Sequence, residues 1–236
     1  MQLIKQGELP VCSDAELIAR HLPLDNARLL ELGCGAAFTT RRLAEAHPTL
    51  QILATEVDQI QHAKNLQIDD LPTVTFSLGG MQAIDAADAS IDAVIMLKSL
   101  HHVPLEVMDA GFAEIARVLK RGGLLYISEP VFAGQFNEIL RLFNDEQQVR
   151  EAAFFAISRA VSSDKFDLLD EIHCNSISRF EGFKAFENRI LGATHSNFDV
   201  DDALLTQIKA KFEPHIGEDG IAEFLNPLRV DLLRRT

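Results

Sequence analysis

From Arg28 onward, short apolar runs alternate with stretches whose apolar residues recur at helical spacing. The runs Arg28–Leu32, Gln51–Glu56, Thr73–Ser77, Ile91–Leu97 and Leu124–Ser128 read as strands. Thr39–Ala46, Gln59–Gln67 and Leu105–Leu119 read as helices, the last entered through Pro104. Met81–Ser90 is less regular. Upstream, Ser13-Asp14-Ala15-Glu16 has the capping-box pattern and predicts a short helix to about His21, followed by a turn over Pro23 to Asn26. Strands that alternate with helices predict an α/β fold: a mainly parallel, doubly wound sheet with helices on both faces and right-handed crossovers. Such sheets bind ligands at the carboxyl ends of their strands, where strand order reverses.

The rhythm changes after Glu129-Pro130. Val131 to about Phe166 has a helical pattern, with Phe132, Phe136, Ile139, Leu140, Phe143, Phe154, Phe155 and Ile157 as its apolar positions. Ile177–Phe180 and Lys184–Leu191 fit more than one element. A helix over Asp199–Phe212, opened by Asp199, and a strand over Glu223–Leu233 close the chain. No repeat or low-complexity linker separates this half. Residues 1–130 therefore read as the binding core, and 131–236 as a helical lid or substrate region of the same domain whose last strands complete the sheet. Its phenylalanines have three readings: substrate lid, dimer interface (hence a homodimer) or plain core, and helical spacing favours core first. With 15 Phe against one Tyr and no Trp, the chain leans faintly toward an apolar or aromatic ligand.

Charge narrows the choice of partner. The 22 basic and 35 acidic residues give a net charge of −13, which weighs against nucleic acid, because phosphate neutralisation dominates its binding. Arg41-Arg42 and Arg234-Arg235 are short and solvated. A small molecule is the better expectation. No apolar run approaches the roughly 20 residues of a membrane span, and Met1–Gly7 lacks the features of a secretory signal, so the expected location is cytoplasmic. Cys12, Cys34 and Cys174 are few, odd in number and far apart; they suit a reducing compartment and match no zinc spacing. No metal-ligand cluster stands out, so no metal is expected.

The chemistry gathers where the first strand meets its helix. Gly33 and Gly35 would let the chain turn sharply and let a ligand touch the backbone. A dinucleotide fingerprint needs a third small residue where this chain has Phe38, which counts against a nicotinamide oxidoreductase. Glu31 precedes the glycines and would repel a pyrophosphate, yet could orient a cationic ligand. Glu56, at the end of the second strand, sits where a carboxylate accepts ribose hydroxyls. Two acids without a phosphate cradle predict a nucleoside that carries no phosphates.

Leu30-Glu31-Leu32-Gly33-Cys34-Gly35 resembles the first motif of the class I S-adenosylmethionine-dependent methyltransferases. Ala54-Thr55-Glu56-Val57-Asp58, Phe76–Gln82, Ser90–Leu97, Leu100–Pro104 and Val118–Pro130 resemble that family's later motifs, in order and in register. The likeness spans about Leu29 to Pro130 and is closest to the small-molecule branch typified by ubiquinone-biosynthesis methyltransferases. It implies a seven-stranded Rossmann-like sheet, S-adenosylmethionine as cofactor and a small-molecule methyl acceptor. By position, Glu31 would organise the methionyl amine, and Gly33, Cys34 and Gly35 would floor the cofactor. Glu56 would clamp the ribose and Val57 pack on adenine. Met81 would offer its backbone N–H to the ring, and the Leu97 carbonyl would lie near the sulfonium. Many relatives carry Asp where this chain has Gly80, so Gln82 or backbone would take over the adenine amino group.

An acceptor that arrives protonated needs a base. His101 and His102 follow the fourth strand, and histidine titrates in the right range. Lys98, on the same rim, would bind an anionic acceptor or lower its pKa. Each also has a plainer reading: a capping or wall histidine, and a solvated rim charge. Glu129 would orient substrate or fix the loop before Pro130, and Cys34 reads as a small apolar residue in a tight turn. A cofactor-binding regulator without catalysis is the non-enzyme alternative.

Overall fold

The computed structural model describes residues 1–192 and 198–236. Five strands follow the expected rhythm: β1 (Arg28–Leu32), β2 (Gln51–Glu56), β3 (Val74–Leu78), β4 (Ile91–Leu97) and β5 (Leu119–Pro130). They are parallel and ordered β3-β2-β1-β4-β5. Strand order thus reverses between β1 and β4, which opens a crevice at their carboxyl ends. The helices α1 (Asp14–His21), α2 (Phe38–Ala46), α3 (Gln59–Asn65) and α4 (Met108–Val118) occupy the expected stretches within a few residues. The Ser13 hydroxyl accepts the Glu16 N–H and caps α1, as the capping-box pattern required. The first turn after Pro104 is a 3-10 turn over Leu105–Val107, so α4 begins later than its apolar spacing suggested.

Beyond Pro130 the outcome differs more. The helical stretch resolves into α5 (Gln135–Leu140) and α6 (Gln147–Ser162). A long strand, β6 (Phe166–Glu181), then begins where helix was expected to end, and it contains the ambiguous Ile177–Phe180. Lys184–Leu191 is helical: α7 (Gly182–Phe186) continues into a wider π turn over Glu187–Leu191. The next helix, α8 (Asp202–Phe212), is capped by Asp201, whose carboxylate accepts the Leu204 N–H at 2.7 Å; Asp199 is not the cap. The last strand, β7 (Ile221–Arg235), runs antiparallel between β5 and β6 and completes a seven-stranded sheet. The Rossmann-like α/β class therefore holds, with an antiparallel margin.

One apolar layer packs α4 and α6 on the sheet through Phe112, Ile115 and Ile157, and another packs α1 and α2 on the opposite face through Leu17, Ile18 and Leu43. A third cluster, built from Ile139, Phe180, Phe186, Ile208, Phe212 and Phe224, joins α5, α7 and α8 to the outer part of the antiparallel β6–β7 pair. Phe154 and Ile157 are buried core, whereas Phe155 is exposed. No helix among the described residues is long and apolar enough to cross a membrane.

The cysteines require a correction. Cys12 and Cys174 form a disulfide, with their Cα atoms 5.8 Å apart, and only Cys34 is free. Residues 10–12 lie along β6, where Asn175 donates its N–H to the Pro10 carbonyl and accepts the Cys12 N–H. Sequence spacing concealed this contact because 162 positions separate the two cysteines. They give no support to a reducing compartment.

Candidate functional site

The loop from β1 to α2 is pinned from below. The N–H groups of Gly33 and Cys34 donate to the Thr55 carbonyl at 3.0 and 2.9 Å, which joins the loop to the end of β2. Gly33 has φ 79°, and a Cβ there would lie 2.7 Å from that of Ser99, so both conformation and space demand glycine. The Asn65 amide of α3 donates to the Gly35 carbonyl at 2.8 Å. Phe38 opens α2 and is largely exposed.

Glu31 and Glu56 both come to this loop, held differently. Glu31 is buried, and Thr40 donates its hydroxyl to it at 2.6 Å. Burial lifts the Glu31 carboxyl from an ordinary 4.5 to about 7, partly opposed by that hydrogen bond. Glu56 accepts the Gly35 N–H on one oxygen at 2.8 Å, and the Val57 and Asp58 N–H groups on the other at 2.7 and 2.9 Å. Its carboxylate is thus a rigid part of the rim. Cys34 between them is a poor nucleophile: burial, with Glu31 and Glu56 nearby, pushes its thiol up to about 12.

The remaining cofactor candidates gather at the neighbouring strand ends. Val57 is exposed, and a Cβ on Gly80 would fall 3.1 Å from Val57 Cγ1 and 2.7 Å from Gln82 Oε1. An Asp at position 80 would therefore collide with Gln82 as it now stands. The Met81 side chain is buried against Gly111, which leaves only its backbone to face a ligand in the crevice. Leu97 ends β4. The cradle fits a cationic nucleoside: two carboxylates, no basic residue between Gly33 and Phe38, and glycine where a side chain would intrude.

A cavity of about 390 Å³ lies beyond the β4 and β5 ends, lined by Lys98, His101, His102, Phe136, Leu140, Phe143 and Arg150 among others. All three catalytic candidates thus meet at its wall. His101 is buried, with Nδ1 2.5 Å from Glu129 Oε2, and the Leu100 N–H donates to the other Glu129 oxygen at 2.8 Å. Nε2 is the ring nitrogen left for the cavity. Lys98 has φ 55°, and its ammonium pairs with Asp14 at 2.7 Å; Tyr126 donates to the same carboxylate. Burial opposes the Asp14 charge, yet Lys98 and its hydrogen bonds hold that carboxyl below its usual range. Lys98 is therefore half committed to anchoring α1.

Sequence reasoning passed over three contributors. Arg150 of α6 pairs with Glu146 at 2.6 Å and donates to Asn137 Oδ1 at 3.1 Å. Among the described residues no acceptor meets the Asn137 Nδ2, which is buried at the cavity wall, a donor for whatever enters. Donor atoms of His101, His102 and Glu146 all lie within 4.8 Å of one another, a ligand cluster the sequence did not suggest. Only the fold brings α6 to the turn after β4.

Residues 29–123 match the family model described as a methyltransferase domain. The ubiquinone biosynthesis O-methyltransferase of Xylella fastidiosa (strain 9a5c) is 30% identical over 118 residues, which covers 48% of this chain and 46% of that protein. The chain thus spans less than half of that relative's length. Among solved structures, the YcgJ protein from Bacillus subtilis matches with a TM-score of 0.64 at 17% identity, over 94% of this chain and 97% of that one. Geranyl diphosphate C-methyltransferase from Streptomyces coelicolor A3(2), solved with Mg2+, geranyl diphosphate and S-adenosyl-L-homocysteine, matches with a TM-score of 0.52 at 14% identity. That alignment covers 94% of this chain and 78% of the other. At such identities the structural likeness speaks to the fold.

Proposed function

We propose, for a chain that carries a methyltransferase domain of the class I S-adenosylmethionine-dependent family, that it methylates a small molecule seated in the cavity beside His101. One observation carries this reading: a single turn serves both sites. Ser99 packs on Gly33 and donates to the Leu32 carbonyl at 2.8 Å, while His101 and His102, just beyond it, line the cavity. A nucleoside on the glycine loop and a molecule in the cavity would therefore meet at that turn.

S-adenosylmethionine, when bound, supplies a methyl group already activated on a sulfonium. Glu31 would hold the methionyl amine, Glu56 the ribose hydroxyls, Val57 and the Met81 backbone the adenine, and Gln82 its amino group. The protein's contribution is alignment, which lowers a two-reactant barrier by roughly 7–11 kcal/mol when geometry is well set. Glu129 accepts the His101 Nδ1–H and would stabilise the imidazolium, so Nε2 can take a proton from an acceptor hydroxyl or carbon acid. Phe136, Leu140 and Phe143 give the acceptor an apolar wall, and Asn137 Nδ2 gives its polar end a donor. An O-methyltransferase of ubiquinone biosynthesis and a geranyl diphosphate C-methyltransferase differ in acceptor by their names, which supports a reading in which the cavity, not the cofactor loop, sets the substrate. The acidic balance argues against RNA.

Titration calorimetry with S-adenosylhomocysteine and with NAD, followed by methyl-transfer assays on aromatic and apolar hydroxyl compounds, tests this. Binding of the first and turnover of at least one acceptor are expected. NAD binding alone would overturn it, and cofactor binding without turnover, with a partner protein co-purifying, would favour the regulator.

A further inference from the structure

We infer that His101, His102 and Glu146 form a binding site for a divalent first-row transition metal ion, open to the acceptor cavity. The three donor atoms lie within 4.8 Å of one another, one on a buried, one on a half-buried and one on an exposed side chain. Two imidazoles and one carboxylate are a borderline-soft set that suits zinc, iron(II) or cobalt(II) better than magnesium, which prefers oxygen ligands and retained water.

The outer contacts are those a metal-binding histidine requires. Glu129 accepts the Nδ1–H of His101, which fixes the tautomer that leaves a lone pair on Nε2. Glu129 is itself fixed by the Leu100 N–H. On the third ligand, Arg150 engages one Glu146 oxygen and Asn144 the other, so the carboxylate is oriented before any ion arrives. Bonds of about 2.0–2.1 Å to a tetrahedral ion set donors roughly 3.4 Å apart, so a modest drawing-in of the three donor atoms would complete the set. The fourth position would face the cavity, where an acceptor oxygen or water can bind. Because Nε2 has one lone pair, a bound ion and proton removal by His101 exclude each other; a loaded chain would meet its acceptor through the ion.

The inference stands apart from methyl transfer, since ion binding is read without turnover. Tag-free protein, stripped with chelator, is titrated with Zn2+ by calorimetry and with Co2+ by visible absorption, with Mg2+ as control. One ion per chain is expected, with ligand-field bands for cobalt that zinc displaces. His102→Ala and Glu146→Gln should each weaken zinc binding by about 10–100-fold or more while S-adenosylhomocysteine binding stays unchanged, which shows that the fold survives. Absence of zinc and cobalt binding, binding that His102→Ala leaves untouched, or binding of magnesium alone would each overturn the proposal.

Discussion

Thr40, one turn into the helix after the glycine loop, donates its hydroxyl to Glu31 across 2.6 Å inside the protein. It is the hydrogen bond found for a carboxyl that burial raises to about 7. The folded chain thus holds the Glu31 proton more tightly than the unfolded chain does. The associated stability is fully present below about pH 4.5 and is lost as pH rises toward 7. Its size is on the order of 3 kcal/mol. Thermal melts of wild type and Glu31→Gln should diverge across that window, with wild type losing ground until the difference levels off above pH 7. A pH-independent difference would reject the assignment. A cationic amine placed at Glu31 recovers the charge, so S-adenosylhomocysteine affinity should rise with pH over the same range, accompanied by proton release.

Glu56 gathers three backbone N–H groups, from Gly35, Val57 and Asp58. Glu56→Ala strands those donors and removes the acceptor proposed for the ribose. Cofactor affinity should fall by about 1–3 kcal/mol, roughly 5- to 150-fold, the cost of leaving polar groups unpaired. Calorimetry with S-adenosylhomocysteine measures this, and affinity equal to wild type would show that Glu56 only shapes the loop.

Glu129 and His101 are both buried and form one unit, so their variants should behave alike. Under metal-free conditions His101→Gln should lower kcat by roughly 10²–10⁴-fold for a protonated acceptor, the range for a positioned general base. Glu129→Gln should move in the same direction. Cofactor binding should persist in both. Unchanged kcat would reduce the pair to a wall of the cavity.

The cofactor half of the site was legible in the sequence because its parts are local. Gly33, Gly35, Glu31 and Glu56 lie at strand ends that apolar runs mark clearly, so chain order alone brings them to one rim. The acceptor half was not. Glu146, Arg150 and Asn137 look like ordinary residues of amphipathic helices, and only tertiary packing of α6 against the turn after β4 gives them a role. β6 escaped for a related reason. It is an edge strand, and Asp170, Glu171, Asn175, Ser176 and Arg179 interrupt the apolar alternation that would announce it.

The disulfide yields a prediction about the same rim. Cys12 sits just before α1, whose Asp14 holds Lys98 at the cavity mouth, and Cys174 lies within β6. Closing so long a loop limits the unfolded chain, so its loss should cost about 2–4 kcal/mol. In a chain of this size that lowers Tm by roughly 4–16 °C. Reduction, or Cys12→Ser with Cys174→Ser, should also free the arm along β6 and loosen the Lys98–Asp14 pair. Amide exchange should then quicken at residues 10–21 and near Lys98, while the β1–β2 ladder keeps its protection. Equal Tm values for oxidised and reduced protein, with exchange unchanged at α1, would show that the bond neither stabilises the fold nor steadies the rim.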